Sequence, residues 1–185
     1  MATLDGNYID PTNVSARQTG VRWGLILGLV SASLSFLMYF TGLTDFTSNS
    51  WLTFFVSIIP IVLCIYYAQV QHRDNELGGY MTLGRAVTVA LWVGLIAGLI
   101  GVVFSFFLFN FIMKDFGETI MTKAVENAEA KGQDPDQVRK GMEMMKWMFN
   151  PAVMSLFALL GNLFYATICG LLIGLVTKRE SAKPY

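Results

Sequence analysis

The chain has 185 residues, of which 54% are hydrophobic and only 14% charged, with a mean hydropathy of +0.52 and a formal net charge of zero. A soluble domain carries about 25% charged residues, and a neutral chain with no basic stripe speaks against a nucleic-acid surface. The charges are also segregated, since none occurs between Arg22 and Asp45, Asp45 and Arg73, Arg85 and Lys114, or Lys146 and Lys178.

Each of these intervals exceeds the roughly 20 residues that carry an α-helix across the hydrocarbon of a bilayer. Four such runs in so short a chain leave too little polar surface for a dissolved protein. The expected fold is all-α: an integral membrane four-helix bundle, with an extramembrane helical hairpin between the third and fourth spans. Residues 1–20 read as a polar tail without the apolar stretch of a cleaved signal, so the first span is expected to remain as an anchor. The membrane domain covers 21–178, with spans at about 21–43, 51–70, 86–113 and 151–177, the hairpin at 114–150 and a short cytoplasmic tail at 179–185.

The first span places Gly24, Gly28, Ser31 and Ser35 at steps of four, three and four, which is one face of a helix. The third repeats that spacing in Gly94, Gly98, Gly101 and Ser105, and the fourth carries Gly170 and Gly174. Small faces let helices approach closely in lipid, where no hydrophobic force draws them together. They are expected to pack inside the bundle, with a dimer contact as the alternative use. A shift of seventy positions lays GLILGLVSASLSF (24–36) on GLIAGLIGVVFSF (94–106), which suggests tandem helical hairpins related as parallel repeats are. The frequency of glycine and leucine in membrane helices is the competing explanation.

The second span contains Pro60, a kink, and is followed by the polar run 71–76. His72 has no sequence neighbour with which to make a metal site. The stretch GGYMTLGRA (78–86) approaches a phosphate loop through Gly79 and Gly84. However, Arg85 stands where that loop needs lysine, Ala86 lacks the hydroxyl for magnesium, and no buried strand leads in. Gly78, Gly79, Thr82 and Gly84 are therefore read as a loop entering the third span, with Thr82 as helix cap, and no nucleotide is expected.

Polar residues within the spans are few. Asn162, near the middle of the fourth, is expected to make an interhelical hydrogen bond, and Asn110 lies near the end of the third. Cys64 and Cys169 are expected to pack as small apolar residues. Ion-coupled transport commonly uses an intramembrane carboxylate or broken helices; the spans carry no carboxylate, and Pro60 supplies a single break.

Residues 114–150 change to the composition of a soluble helical pair. Phe116, Ile120, Ala124 and Ala128 form one apolar stripe, and Val138, Met142, Met145 and Phe149 another. Between them Asp134 caps a second helix, with Pro135 at its first position and Gln137 reaching back. Met142, Met145 and Met148 step by three, a spacing open to Cu(I) ligation by thioethers but also to ordinary methionine packing. No cofactor is assigned.

Seven Lys and Arg flank one side of the membrane: Arg17, Arg22, Arg73, Arg85, Lys178, Arg179 and Lys183. The short loop around Asp45 has none, and the six in 114–150 are diluted by seven carboxylates. Both termini are therefore expected in the cytoplasm.

With these parts in place, the chain resembles the domain of unknown function 4199 family, small four-span membrane proteins mainly from Bacteroidetes. The resemblance rests on GLILGL opening the first span, RDNELGGYMTLGRA (73–86) leading into the third, the charged helical insertion, and Asn150-Pro151 opening the fourth. It implies a bacterial inner membrane and carries over no functional residues. The sequence thus favours a non-enzymatic scaffold or interaction protein of the envelope, embedded in the lipid bilayer. Its hairpin would meet an envelope protein or a second copy of the chain. The alternative is a small oligomeric transporter or channel.

Overall fold

A computed structural model describes residues 14–41, 50–113 and 116–179. Most of the N-terminal tail, the loop around Asp45, Lys114 with Asp115, and the residues from 180 onward lie outside them. The described residues form six α-helices: α1 (Ala16–Phe40), α2 (Ser50–Gln71), α3 (Leu83–Phe107), α4 (Phe116–Ala130), α5 (Pro135–Met144) and α6 (Pro151–Thr177). Four of these, α1, α2, α3 and α6, are long and apolar enough to cross a membrane.

The helix ends follow local chemistry more closely than the charge-free runs did. The Ser15 hydroxyl accepts from the Arg17 N–H at 3.3 Å and starts α1 at Ala16, so helix already covers the last five residues read as tail. Thr82 caps α3, its hydroxyl accepting from the Arg85 N–H at 3.4 Å. Beyond Gln71, α2 passes into a π-helical turn over His72–Glu76, closed by Leu77 N–H to the His72 carbonyl at 3.1 Å. The polar run 71–76 thus stays helical, because its side chains find partners on other helices. Gly78 and Gly79 then turn the chain at φ of 65° and 95°, a left-handed backbone that suits glycine. A second π turn, Leu108–Ile112, ends α3.

The chain divides into two compact units. One comprises residues 1–100 and 160–185, the other 101–159. In the first, parts of four apolar helices surround a core of small and branched residues, among them Leu27, Ile65, Ala68, Val89, Ala90, Val93, Ala97 and Ala166. Large apolar side chains point outward instead, as with Leu29 (62% exposed), Leu172 (62%) and Val176 (80%). Small inside and large outside is the pattern of helices packed in lipid. Trp23 of α1 and Tyr67 of α2 stack with centroids 5.9 Å apart.

The second unit holds the helical hairpin. Its turn is stopped by Gly132, at φ 70°, with Gln133 N–H returning to the Ala128 carbonyl at 2.9 Å. Asp134 caps α5 through the Asp136 N–H at 3.0 Å, with Pro135 in the first turn. Ala128 is buried and Ile120, Ala124, Val138, Met142 and Phe149 are half-buried, whereas Met145 is 48% exposed. The reason is that α5 ends at Met144 and a 3-10 turn, Lys146–Phe149, follows. Met142, Met145 and Met148 therefore do not share one continuous helical face, which removes the spacing argument for copper.

Candidate functional site

The most chemically organised region of the first unit is a network of polar side chains where α1, α2, α3 and α6 meet at their polar ends. His72 is completely buried at its centre. The Arg85 Nε–H donates to His72 Nε2 at 3.1 Å, which makes that nitrogen an acceptor and leaves the proton on Nδ1. Nδ1 in turn lies 2.6 Å from Glu76 Oε2, four residues on. The other carboxylate oxygen, Oε1, accepts from the Thr19 hydroxyl of α1. A neutral imidazole thus bridges a guanidinium and a carboxylate, and each charge is met by a directed hydrogen bond. Among the described residues, Arg85 Nη2 is buried without a partner.

Around this relay, further contacts tie in α6. The Gln69 amide, with no exposure, donates to the carbonyls of Ala86 and Gly170, each at 3.1 Å, and accepts from the Thr177 hydroxyl at 2.7 Å. Arg73 lies against the Asp74 carboxylate at 2.6 and 2.9 Å while its Nη1 donates to the Thr177 carbonyl at 3.0 Å. Met81 and Arg179 exchange backbone hydrogen bonds of 2.9 and 3.0 Å. Trp23 Nε1 donates to Gln71 at 2.7 Å, and the Arg17 guanidinium stands 5.6 Å over the Trp92 ring. Chemically the arrangement is a clamp: its hydrogen bonds fix four helix ends to one another. Among the described residues, no three of His, Cys, Asp and Glu converge as metal ligands would.

The sequence expectations fall unevenly on this site. Thr82 caps α3, Gly78 and Gly79 make the turn before it, and Gly84 has open space around it. Arg85, which stands where a phosphate loop has its lysine, is turned to His72 instead. Of the small faces, Gly24, Gly28, Gly94, Gly98, Gly170 and Gly174 are buried. Ser31, Gly101 and Ser105 are half-buried and Ser35 is exposed. A methyl built on Gly24 would lie 2.7 Å from Ile96 Cβ, on Gly28 2.6 Å from Ile100 Cδ1, and on Gly174 2.9 Å from Leu83 Cδ1. Asn162 donates to the Gly94 carbonyl at 3.1 Å, an interhelical bond between α6 and α3. Asn110 donates to the Phe106 carbonyl at 2.7 Å, one turn back along the same span.

Thr19, Gln69, Glu76 and Thr177 did not stand out in the sequence, and His72 did so only as a histidine without partners for a metal site. One signal was present: Ile65, Gln69, His72 and Glu76 continue a helical step of four, three and four past the end of the apolar run.

Long apolar helices with small residues between them and large ones outside define a multi-pass α-helical membrane protein of the helix-bundle class. Residues 22–179 match the family model described as protein of unknown function (DUF4199), and the chain belongs to that family. No curated protein and no solved structure matches it.

Proposed function

We propose that this is a non-enzymatic integral protein of the bacterial inner membrane, with both termini in the cytoplasm, which scaffolds or partners other envelope components through the α4–α5 hairpin. The observation that carries this is the apolar surface at the end of α5, where Met144 is 81% exposed, Trp147 60% and Met145 48%. These residues lie outside the four long apolar helices, and exposed apolar clusters mark interaction surfaces. Crosslinking in native membranes should recover envelope proteins or a second copy of the chain through this segment. Met144→Ser with Trp147→Ser should weaken that capture while leaving the chain in the membrane. Unchanged capture after deletion of 116–146 counts decisively against the hairpin.

A small transporter or channel is the second reading, and packing disfavours it. The Asn162 amide donates to the Gly94 carbonyl, and Gly94, Gly170 and Gly174 face Ala166, Ala90, and Leu83 with Ala86. Cysteines placed from 157 to 169 should stay unlabelled by a membrane-impermeant thiol reagent; a labelled stripe along α6 would restore the channel. Sidedness is tested the same way. Cysteine at Gln133 should be labelled from outside sealed cells, and cysteine at Tyr80, 54% exposed, only after permeabilisation. The reverse labelling pattern would place the hairpin in the cytoplasm.

A further inference from the structure

His72 is the only histidine in the chain, and histidine is the side chain whose ordinary titration falls between about pH 5 and 8. It lies fully buried at the centre of the clamp, in a π turn, a rare form that recurs at functional sites. Among the described residues, two charged groups face the imidazole: Glu76 from the same turn and Arg85 from α3. From α1 comes the neutral Thr19 hydroxyl, 3.4 Å from Nδ1, while Arg17 of that helix stands over Trp92. Arg73 and Asp74 pair with each other, and Arg73 reaches α6 at the Thr177 carbonyl. The two ring nitrogens differ in what a further proton would do. Nδ1 already carries one, held 2.6 Å from Glu76. A second proton must go to Nε2, whose lone pair accepts from the Arg85 Nε–H at 3.1 Å. Two N–H groups and two positive charges cannot share that contact.

We propose that His72 is the proton-binding site of an acid-operated latch, in which a proton on Nε2 expels Arg85 and frees the start of α3 from the π turn. Opening comes first: Arg85 swings out as an intact guanidinium, and a proton from water then binds the bared Nε2 and holds the open state. The Nδ1 proton stays in place, so the ring gains one positive charge and meets Glu76 as a direct ion pair. Glu76 also keeps the Thr19 hydroxyl, and the α1 side of the clamp therefore tightens as the α3 side lets go. Arg85 is poised for this movement. Its side chain is half-buried, and Nη2 is buried without a partner, a cost that transfer to water relieves. The backbone of α3 stays docked, because Gln69 still donates to the Ala86 carbonyl at 3.1 Å.

The test uses the full-length protein in mild detergent, with nitrogen-15 in its imidazole and guanidinium groups, titrated by NMR from about pH 8 to about pH 5, the ordinary histidine window. A single histidine gives a single pair of ring signals. At the upper end they should report a neutral ring protonated at Nδ1, and at the lower end a ring protonated at both nitrogens. The Arg85 Nε–H signal, identified by its loss in Arg85→Gln, should shift with the same midpoint. Arg85→Gln should raise the ring's midpoint by about one pH unit and Glu76→Gln should lower it by about as much, since each removes one of two opposite charges. In His72→Gln the Arg85 signal should hold still across the range. A ring protonated at Nε2 in the neutral form, or still neutral at the lower end, overturns the proposal. So does an Arg85 signal that ignores the ring's titration or moves without it in His72→Gln. Midpoints that shift in the same direction in Arg85→Gln and Glu76→Gln count equally against it, and these two variants decide the matter should His72→Gln fail to fold.

Discussion

Replacing His72 with alanine should be among the most damaging single substitutions in the membrane domain, costing about 3 kcal/mol, the lower end of what removal of one partner from a buried charged network costs. The imidazole meets both Arg85 and Glu76 in the clamp: it accepts from one at 3.1 Å and faces the other at 2.6 Å. Its loss strands Arg85 Nε beside a guanidinium nitrogen, Nη2, that is already buried and unpartnered. Glu76 keeps the Thr19 hydroxyl and, with its side chain 28% exposed, some access to water, which is why the lower end of the range applies. His72→Gln, which retains a donor and an acceptor on one planar group, should recover part of the loss. Unfolding of the purified protein in mild detergent, followed by loss of helical circular dichroism, measures both. A His72→Ala protein as stable as wild type would mean that the relay bears no load.

The contrast between what was readable in the sequence and what was not has a physical origin in this same clamp. Charges are excluded from hydrocarbon, so the intervals free of them located all four spans, and α6 begins and ends where its apolar run does, at Pro151 and Thr177. At the polar ends of the helices that rule stops discriminating. Residues 71–76 have the composition of a loop, yet they are helical because His72 and Glu76 are satisfied by Arg85 of α3 and Thr19 of α1. Those partners are 13 and 57 residues away, beyond the reach of local pattern. The one local trace was the helical step that runs from Ile65 to Glu76. The methionine triplet failed for a simpler reason: a step of three implies one face only while the helix lasts, and α5 ends between the first and second of the three.

The small-residue faces divide in a way that a methyl group can test. Gly94→Ala should destabilise the protein by about 1–3 kcal/mol, the usual cost of overpacking, whereas Gly101→Ala on the same helix and nominally the same face should be neutral or gain up to about 1 kcal/mol from helix propensity. At Gly94 the new methyl would overlap Cβ of Ala166. That atom is fixed to the α6 backbone, so no rotamer change can relieve the clash and the two helices must part locally. Parting them also lengthens the bond from Asn162 to the Gly94 carbonyl, now 3.1 Å. At Gly101 nothing lies within 4 Å of the added carbon. The decisive variant carries both Gly94→Ala and Ala166→Gly, which moves the methyl across the contact without changing the total volume. It should regain most of the stability lost by Gly94→Ala alone, less the roughly 1 kcal/mol that glycine costs in a helix interior. Thermal melts of the four proteins in one detergent read out the comparison. If the double variant is no better than the single one, Ala166 is not what Gly94 packs against.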